Sequence, residues 1–282
     1  MSRHRFTQLD VFSPDPLGGN PLAVVHDADG LPDATLRRFA AWTNLSETAF
    51  LLRPTHPDAD YRVRILTPGE EFAFAGHPTL GSARAWLEAG GTPRRDGVVV
   101  QESGIGLVEV HVEAGSGGER LSFTAPPLLR QGPLDPGLLE RVRRGLGLDA
   151  AQVVASAHLD NGPGWIVVRV PDAATALALR PDPAGLAGLA VGVVGNHPAG
   201  AATAVEVRAF AASPDGRLLD EDPVTGSLNA VVGQWLSDLP ARYTAAQGTA
   251  LGRTGRVHVT REDGRVRVGG ATRIVVAGTV DL

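Results

Sequence analysis

The chain has 282 residues, 43% of them hydrophobic, with 35 Gly and 21 Pro, which is enough apolar mass for one large domain or two lobes joined by many turns. Its net charge of −5 carries no basic run, which argues against nucleic acid or an anionic membrane as the main partner. Cys is absent, and Lys is absent too, so all 26 basic residues are Arg. Disulfides, thiolate metal sites and cysteine-based proton transfer are therefore excluded, as are a Schiff-base lysine and the lysine of a phosphate-binding P-loop. No basic-then-apolar leader is read at the start, and the longest apolar run, around 186–194, is too short to span a bilayer. A soluble, cytoplasmic protein is expected.

Taken in order, 8–12 and 21–26 read as short strands joined through Gly18-Gly19-Asn20-Pro21, where Asn20 is either a turn former or a ligand-facing side chain. A helix is predicted over 31–42, with Leu36, Phe39 and Ala40 on its apolar face. The stretch from Asn44 to Leu52 is strand-like, and Glu47 is its one carboxylate. On a half-exposed strand Glu47 would point to solvent; buried among apolar neighbours, its pKa would rise toward neutrality, as suits a general acid/base. Both readings stand on spacing alone. After a strand over 61–66, Gly76-His77-Pro78-Thr79 opens an apolar helix that carries Trp86-Leu87. Strands over 98–101, 107–112 and 121–123 lead to Thr124-Ala125-Pro126-Pro127, the best crossover between two lobes.

Beyond it, 136–146 reads as helix and 165–170 and 205–210 as strands. Glu221-Asp222-Pro223-Val224-Thr225-Gly226-Ser227 then reads as a second helix start, with Asp222 as N-cap and Pro223 at the first helical position. Short strands are expected over 257–259, 266–268 and 274–280. The two helix starts share a design: a polar residue before Pro, then Thr, a Gly-Ser pair and an apolar helix ending in Trp-Leu. Either they are ordinary core helices, or two pseudo-equivalent lobes offer uncapped amides to one cleft as a seat for an anionic group. The second reading places an N-terminal lobe over 1–124, with a strand over about 272–282 returning to it, and a C-terminal lobe over 125–271.

The eight His residues are widely separated and form no HxH or HExxH pair, so no metal is expected. Gly104-Ile105-Gly106 and Gly115-Ser116-Gly117-Gly118 stop short of GxGxxG and read as turns, and no GxSxG is present. What remains is one carboxylate in apolar surroundings, a His at one helix start and an Asp at the other. These parts suit moving a proton to and from a carbon of a small carboxylated molecule, with no metal or organic cofactor.

Those residues carry a resemblance that spans nearly the whole chain. Gln8-Leu9-Asp10-Val11-Phe12, Gly19-Asn20-Pro21, Asn44-Leu45-Ser46-Glu47-Thr48, Gly76-His77-Pro78-Thr79, Gln101-Glu102-Ser103-Gly104, Val207-Arg208-Ala209-Phe210 and the Glu221–Ser227 stretch occur in the order of the phenazine-biosynthesis (PhzF-like) isomerase family. The resemblance implies a diaminopimelate epimerase-like α+β fold of two pseudo-symmetric lobes, each a curved, mostly antiparallel sheet around a central helix. It also implies a homodimer, with Glu47 as proton shuttle in isomerising a dihydro-hydroxyanthranilate. His77 and Asp222 would contact substrate and assist, and Gly76, Gly226 and Ser227 would present polar groups to it. Leu228-Asn229 departs from the small residue that many relatives have there. The alternative, from another class, is a binding protein for a small anionic metabolite that keeps the cleft without turnover.

Overall fold

Short alternating runs separated by Gly and Pro favour strands over long helices, and the chain folds accordingly. The computed structural model describes residues 1–115 and 118–282 and divides them into two compact units, Met1–Thr124 with Gly269–Leu282, and Ala125–Val268. The turn expected at Gly115-Ser116-Gly117-Gly118 falls on 116 and 117, outside the described residues.

In the first unit β1 (Arg3–Val11), β2 (Asn20–Val25), α1 (Asp33–Thr43), β3 (Thr48–Leu52), β4 (Tyr61–Leu66) and β5 (Glu71–Phe72) precede α2 (Gly76–Glu88). After it come β6 (Val98–Ser103), β7 (Gly106–Gly115) and β8 (Gly118–Thr124). Pairing runs β1–β2 antiparallel, β2–β3 parallel, β3–β4 antiparallel, β4–β6 parallel, then β6–β7 and β7–β8 antiparallel. Helix α2 touches β1, β2, β3, β4, β6, β7 and β8, so the sheet wraps it. That is possible because its first two turns are built from small or compact residues: Gly76 through Ala83 are all buried. At Gly81 a Cβ would sit 2.4 Å from a methyl of Leu22, so only Gly lets the helix come this close to β2. Helix α1 is amphipathic and packs Leu36, Phe39 and Ala40 on Val25, Phe50 and Leu66.

The second unit repeats the plan. After β9 (Arg130–Gly132) and α3 (Pro136–Leu146) come β10 (Ala155–Asp160), β11 (Trp165–Val170), α4 (Ala173–Ala178), β12 (Ala190–Asn196), β13 (Val205–Ala212) and β14 (Leu219–Asp222). Then follow α5 (Gly226–Trp235), β15 (Arg242–Gln247), β16 (Gly255–Glu262) and β17 (Arg265–Asp281). Pairing again runs antiparallel for β10–β11, parallel for β11–β12, antiparallel for β12–β13, parallel for β13–β15 and antiparallel for β15–β16. Strand β14 pairs with β13 as β5 pairs with β4. Seven of the ten residues of α5 are buried, with Leu228 against Gly192 and Gly233 against Val259 and Val266. The fold is thus α+β, two topologically matching units with one buried helix each. Strand β17 begins in the second unit and continues into the first, where it pairs antiparallel with β1 from Arg3↔Asp281 to Val11↔Thr272.

Three expectations need correction. Asp222 is not an N-cap: it is the last residue of β14, paired with Ala209, and α5 starts only at Gly226 with Thr225 as its N-cap. The ladder to β13 holds the backbone of Asp222 extended, and Pro223 falls in the connector. Glu47 is not in a strand. Helix α1 ends at Asn44, whose φ of 52° is left-handed, and Glu47 lies in the connector just before β3. The separate strands expected over 266–268 and 274–280 are one strand, unbroken at Gly269. Gly269 marks a close approach, where a Cβ would come 2.5 Å from the carbonyl oxygen of Leu121.

Candidate active site

The first unit brings Glu47 and His77 together. His77 is the second residue of α2, and the N-cap, Ala75, supplies no side-chain cap to the first turn. Nδ1 of His77 lies 3.4 Å from Oε2 of Glu47, with the side chains 5% and 12% exposed. That separation is long for a strong hydrogen bond. Burial pushes the imidazole of His77 down to about 3, and the carbonyl of Pro21 offsets only part of this. The ring is therefore neutral near pH 7, and the pair is a neutral imidazole beside a carboxyl group rather than an ion pair. Asn20, the first residue of β2, is fully buried.

In the second unit the side chains at the start of α5 form one network. Oδ2 of Asp222 accepts from the hydroxyl of Thr225 at 2.5 Å. The side chain of Gln247, on β15, accepts from Thr225 N at 3.0 Å and donates to the carbonyl of Asp222 at 3.1 Å and to Oγ1 of Thr225 at 2.9 Å. Asn229 donates to the same Gln247 oxygen at 2.8 Å and to the carbonyl of Thr225 at 2.9 Å. Ser227 takes a hydrogen bond on Oγ from the indole of Trp165 at 3.1 Å, and its carbonyl accepts from Asn161 at 3.1 Å. Gly226 and Ser227 are the first two residues of α5, as Gly76 and His77 are of α2. His77 therefore corresponds to Ser227, not to Asp222 as the shared Pro suggests.

Sequence reasoning gave no role to Thr225, Gln247, Asn229, Trp165 or Asn161. Asn229 shows only as a departure from the family pattern, and its amide is absorbed by Gln247 and Thr225. Gln101, on β6, is the first-unit counterpart of Gln247: it donates to Thr79 Oγ1 at 3.1 Å and accepts from the hydroxyl of Tyr61 at 2.8 Å. The available signal in the first unit was the polar amide directly after Val98-Val99-Val100; in the second, Arg242–Gln247 carries no comparable apolar run. Strand β14 is itself anchored: Arg208 forks onto Glu221 at 2.7 and 2.8 Å and donates to the carbonyls of Ala176 and Leu179, each at 3.0 Å.

Among the described residues, no three His, Cys, Asp or Glu side chains gather as metal ligands would. No helix among them is long and apolar enough to cross a membrane. A hollow of about 550 Å³ lies at the C-terminal end of α2, lined by Arg84, Glu88, Asp96 and Glu119 among others, and includes neither Glu47 nor His77.

The family model for phenazine biosynthesis-like protein matches residues 9–279. Antisense-enhancing sequence 1 of Schizosaccharomyces pombe is 33% identical over 99% of each chain. The trans-2,3-dihydro-3-hydroxyanthranilate isomerase of Pseudomonas aeruginosa is 33% identical over 94% of this chain and 93% of its own. The crystal structure of a Bacillus anthracis phenazine biosynthesis protein of the PhzF family shares the fold over all of both chains, with a TM-score of 0.85 at 22% identity.

Proposed function

The chain belongs to the phenazine biosynthesis-like family and is an isomerase, and from that premise we propose that it moves a proton within a small carboxylated metabolite by general acid/base catalysis, without metal or organic cofactor. The observation that carries this reading is the Glu47–His77 pair, a largely buried carboxyl group 3.4 Å from a buried imidazole. Glu47, ionised, takes a proton from a substrate carbon, holds it where water is scarce, and returns it to another carbon, leaving the enzyme unchanged. Neutral His77 orients that carboxyl group or donates its ring N–H to substrate. Asp222 supplies a second carboxylate for proton traffic. Gly76, Gly226 and Ser227, in first turns without a side-chain cap, present polar groups to the anionic part of the substrate.

The Pseudomonas aeruginosa relative is named for trans-2,3-dihydro-3-hydroxyanthranilate, which makes that compound the first probe. In heavy water the enzyme is expected to incorporate deuterium into it, or into an acidic metabolite found by thermal stabilisation. Glu47→Gln should lower incorporation at least about a hundredfold while the thermal shift on binding remains. Full incorporation by the variant rejects the role given to Glu47. Ligands that bind wild-type protein with no incorporation by any of them would favour a binding protein. Incorporation that survives exhaustive chelation supports the cofactor-free reading. The proposal also includes a homodimer in the cytoplasm; light scattering should then give twice the chain mass of 29.4 kDa.

A further inference from the structure

Thr225 sits at the N-cap of α5 with extended φ and ψ of −116° and 106°, yet its side chain makes no capping hydrogen bond. Thr at this position ordinarily accepts from an amide of the first turn. Here the hydroxyl is turned to Asp222 instead, and the hydrogen-bond geometry fixes which way the Gln247 amide beside it points. The backbone N–H of Thr225 is only a donor, so the Gln247 atom 3.0 Å from it is the amide oxygen. The carbonyl of Asp222 is only an acceptor, so the Gln247 atom 3.1 Å from it is the amide nitrogen. That nitrogen also donates to Oγ1 of Thr225 at 2.9 Å, so the hydroxyl keeps its own proton to give, and against the carboxylate form of Asp222 it gives it to Oδ2, 2.5 Å away. Gln247 is fully buried, and Asn229 supplies a second donor to its oxygen, so the amide has no reason to flip.

We propose that Thr225, oriented by Gln247, is a positioning residue that donates to Oδ2 of Asp222 and so favours its anionic form, the form in which the carboxylate enters turnover. A hydrogen bond given to the charged form of a carboxyl group favours that form. A helix cap is forgone to make it, which is why the role is electrostatic rather than structural. The inference rests on the reading of Asp222 as a proton-handling group, but its test does not depend on turnover.

The test is a carbon-13 titration of the aspartate side-chain carboxyls in the full chain, with Asp222→Asn assigning the signal. Thr225→Val, nearly isosteric but without a hydroxyl, should raise the Asp222 midpoint by about one pH unit. Thr225→Ser should leave it near the wild-type value. If the Val variant does not fold, Thr225→Ala makes the same comparison without adding an apolar methyl. A midpoint unchanged in the folded Val or Ala variant, or raised equally in Thr225→Ser, overturns the proposal. Where a substrate turns over, the acidic limb of its pH profile should move with the midpoint and be rescued by Ser. Loss of the isomerase reading would show as absent deuterium incorporation in wild type, with the titration shift intact; failure of this inference would show the reverse.

Discussion

Oε2 of Glu47 and Nδ1 of His77 lie 3.4 Å apart, so a carboxyl group and an imidazole share one largely dry space. Burial penalises charge on the imidazole. An imidazole driven to about 3 is neutral throughout the working range. In the proposed reaction the carboxyl group is the carrier and the neutral ring its neighbour.

His77→Gln keeps an N–H donor and adds no charge, so deuterium incorporation should fall by roughly tenfold, against the hundredfold or greater loss of Glu47→Gln. Measuring both variants on one probe checks the division of labour. Equal losses would mean that the imidazole moves the proton itself.

Acid should destabilise the protein below about pH 6.5. The imidazoles of His77 and His26 are lowered to about 3 and about 4, from 6.5 when exposed, chiefly by desolvation. Between those values the unfolded chain binds more protons than the folded one, so stability is complete above about 6.5 and falls as pH drops toward 4 and then 3. Melting temperature should be flat from pH 7 to 8 and lower by several degrees at pH 5, a drop on the order of a few kcal/mol. His26→Asn should flatten part of that slope.

Arg208→Met should destabilise by roughly 3–5 kcal/mol. It strands Glu221, whose side chain is 13% exposed, and takes one donor away from each of the carbonyls of Ala176 and Leu179. Adding Glu221→Gln removes the stranded charge, so urea unfolding of the double variant should recover part of the loss. No recovery would place the whole cost in the carbonyls.

Gly81→Ala should cost about 1–3 kcal/mol, because the new methyl meets Leu22 Cδ2 at 2.4 Å and Val11 Cγ2 at 3.1 Å in a fully buried region. Leu22→Ala in the same chain should relieve the overlap, seen as a double-variant loss smaller than the two single losses together.

The limits of the sequence show at particular residues. Helix α3 was legible to the residue because Asp135 caps it, Pro136 fits its first turn and Gly147 closes it in the left-handed conformation, all local chemistry. Asp222 and Pro223 present the same local signs of a helix start, yet pairing of β14 with β13 overrides them and delays the helix to Gly226. Strand β10 and strand β15 were missed because Ala155–Asp160 and Arg242–Gln247 lack a strong apolar alternation. Their neighbours in the sheet, rather than their own residues, make them strands.

By itself the sequence determined what chemistry is out of reach: with no Cys and no Lys, thiol and amine proton carriers are excluded, and its order of motifs placed it among the phenazine biosynthesis-like isomerases. Tertiary structure decided which of those groups meet and in what state. That His77 stands beside Glu47 and is neutral follows from burial, and that Thr225 serves Asp222 rather than its own helix follows from Gln247, 22 residues away along the chain. Desolvation and hydrogen-bond direction depend on neighbours brought close by folding, and residue order does not encode them one position at a time.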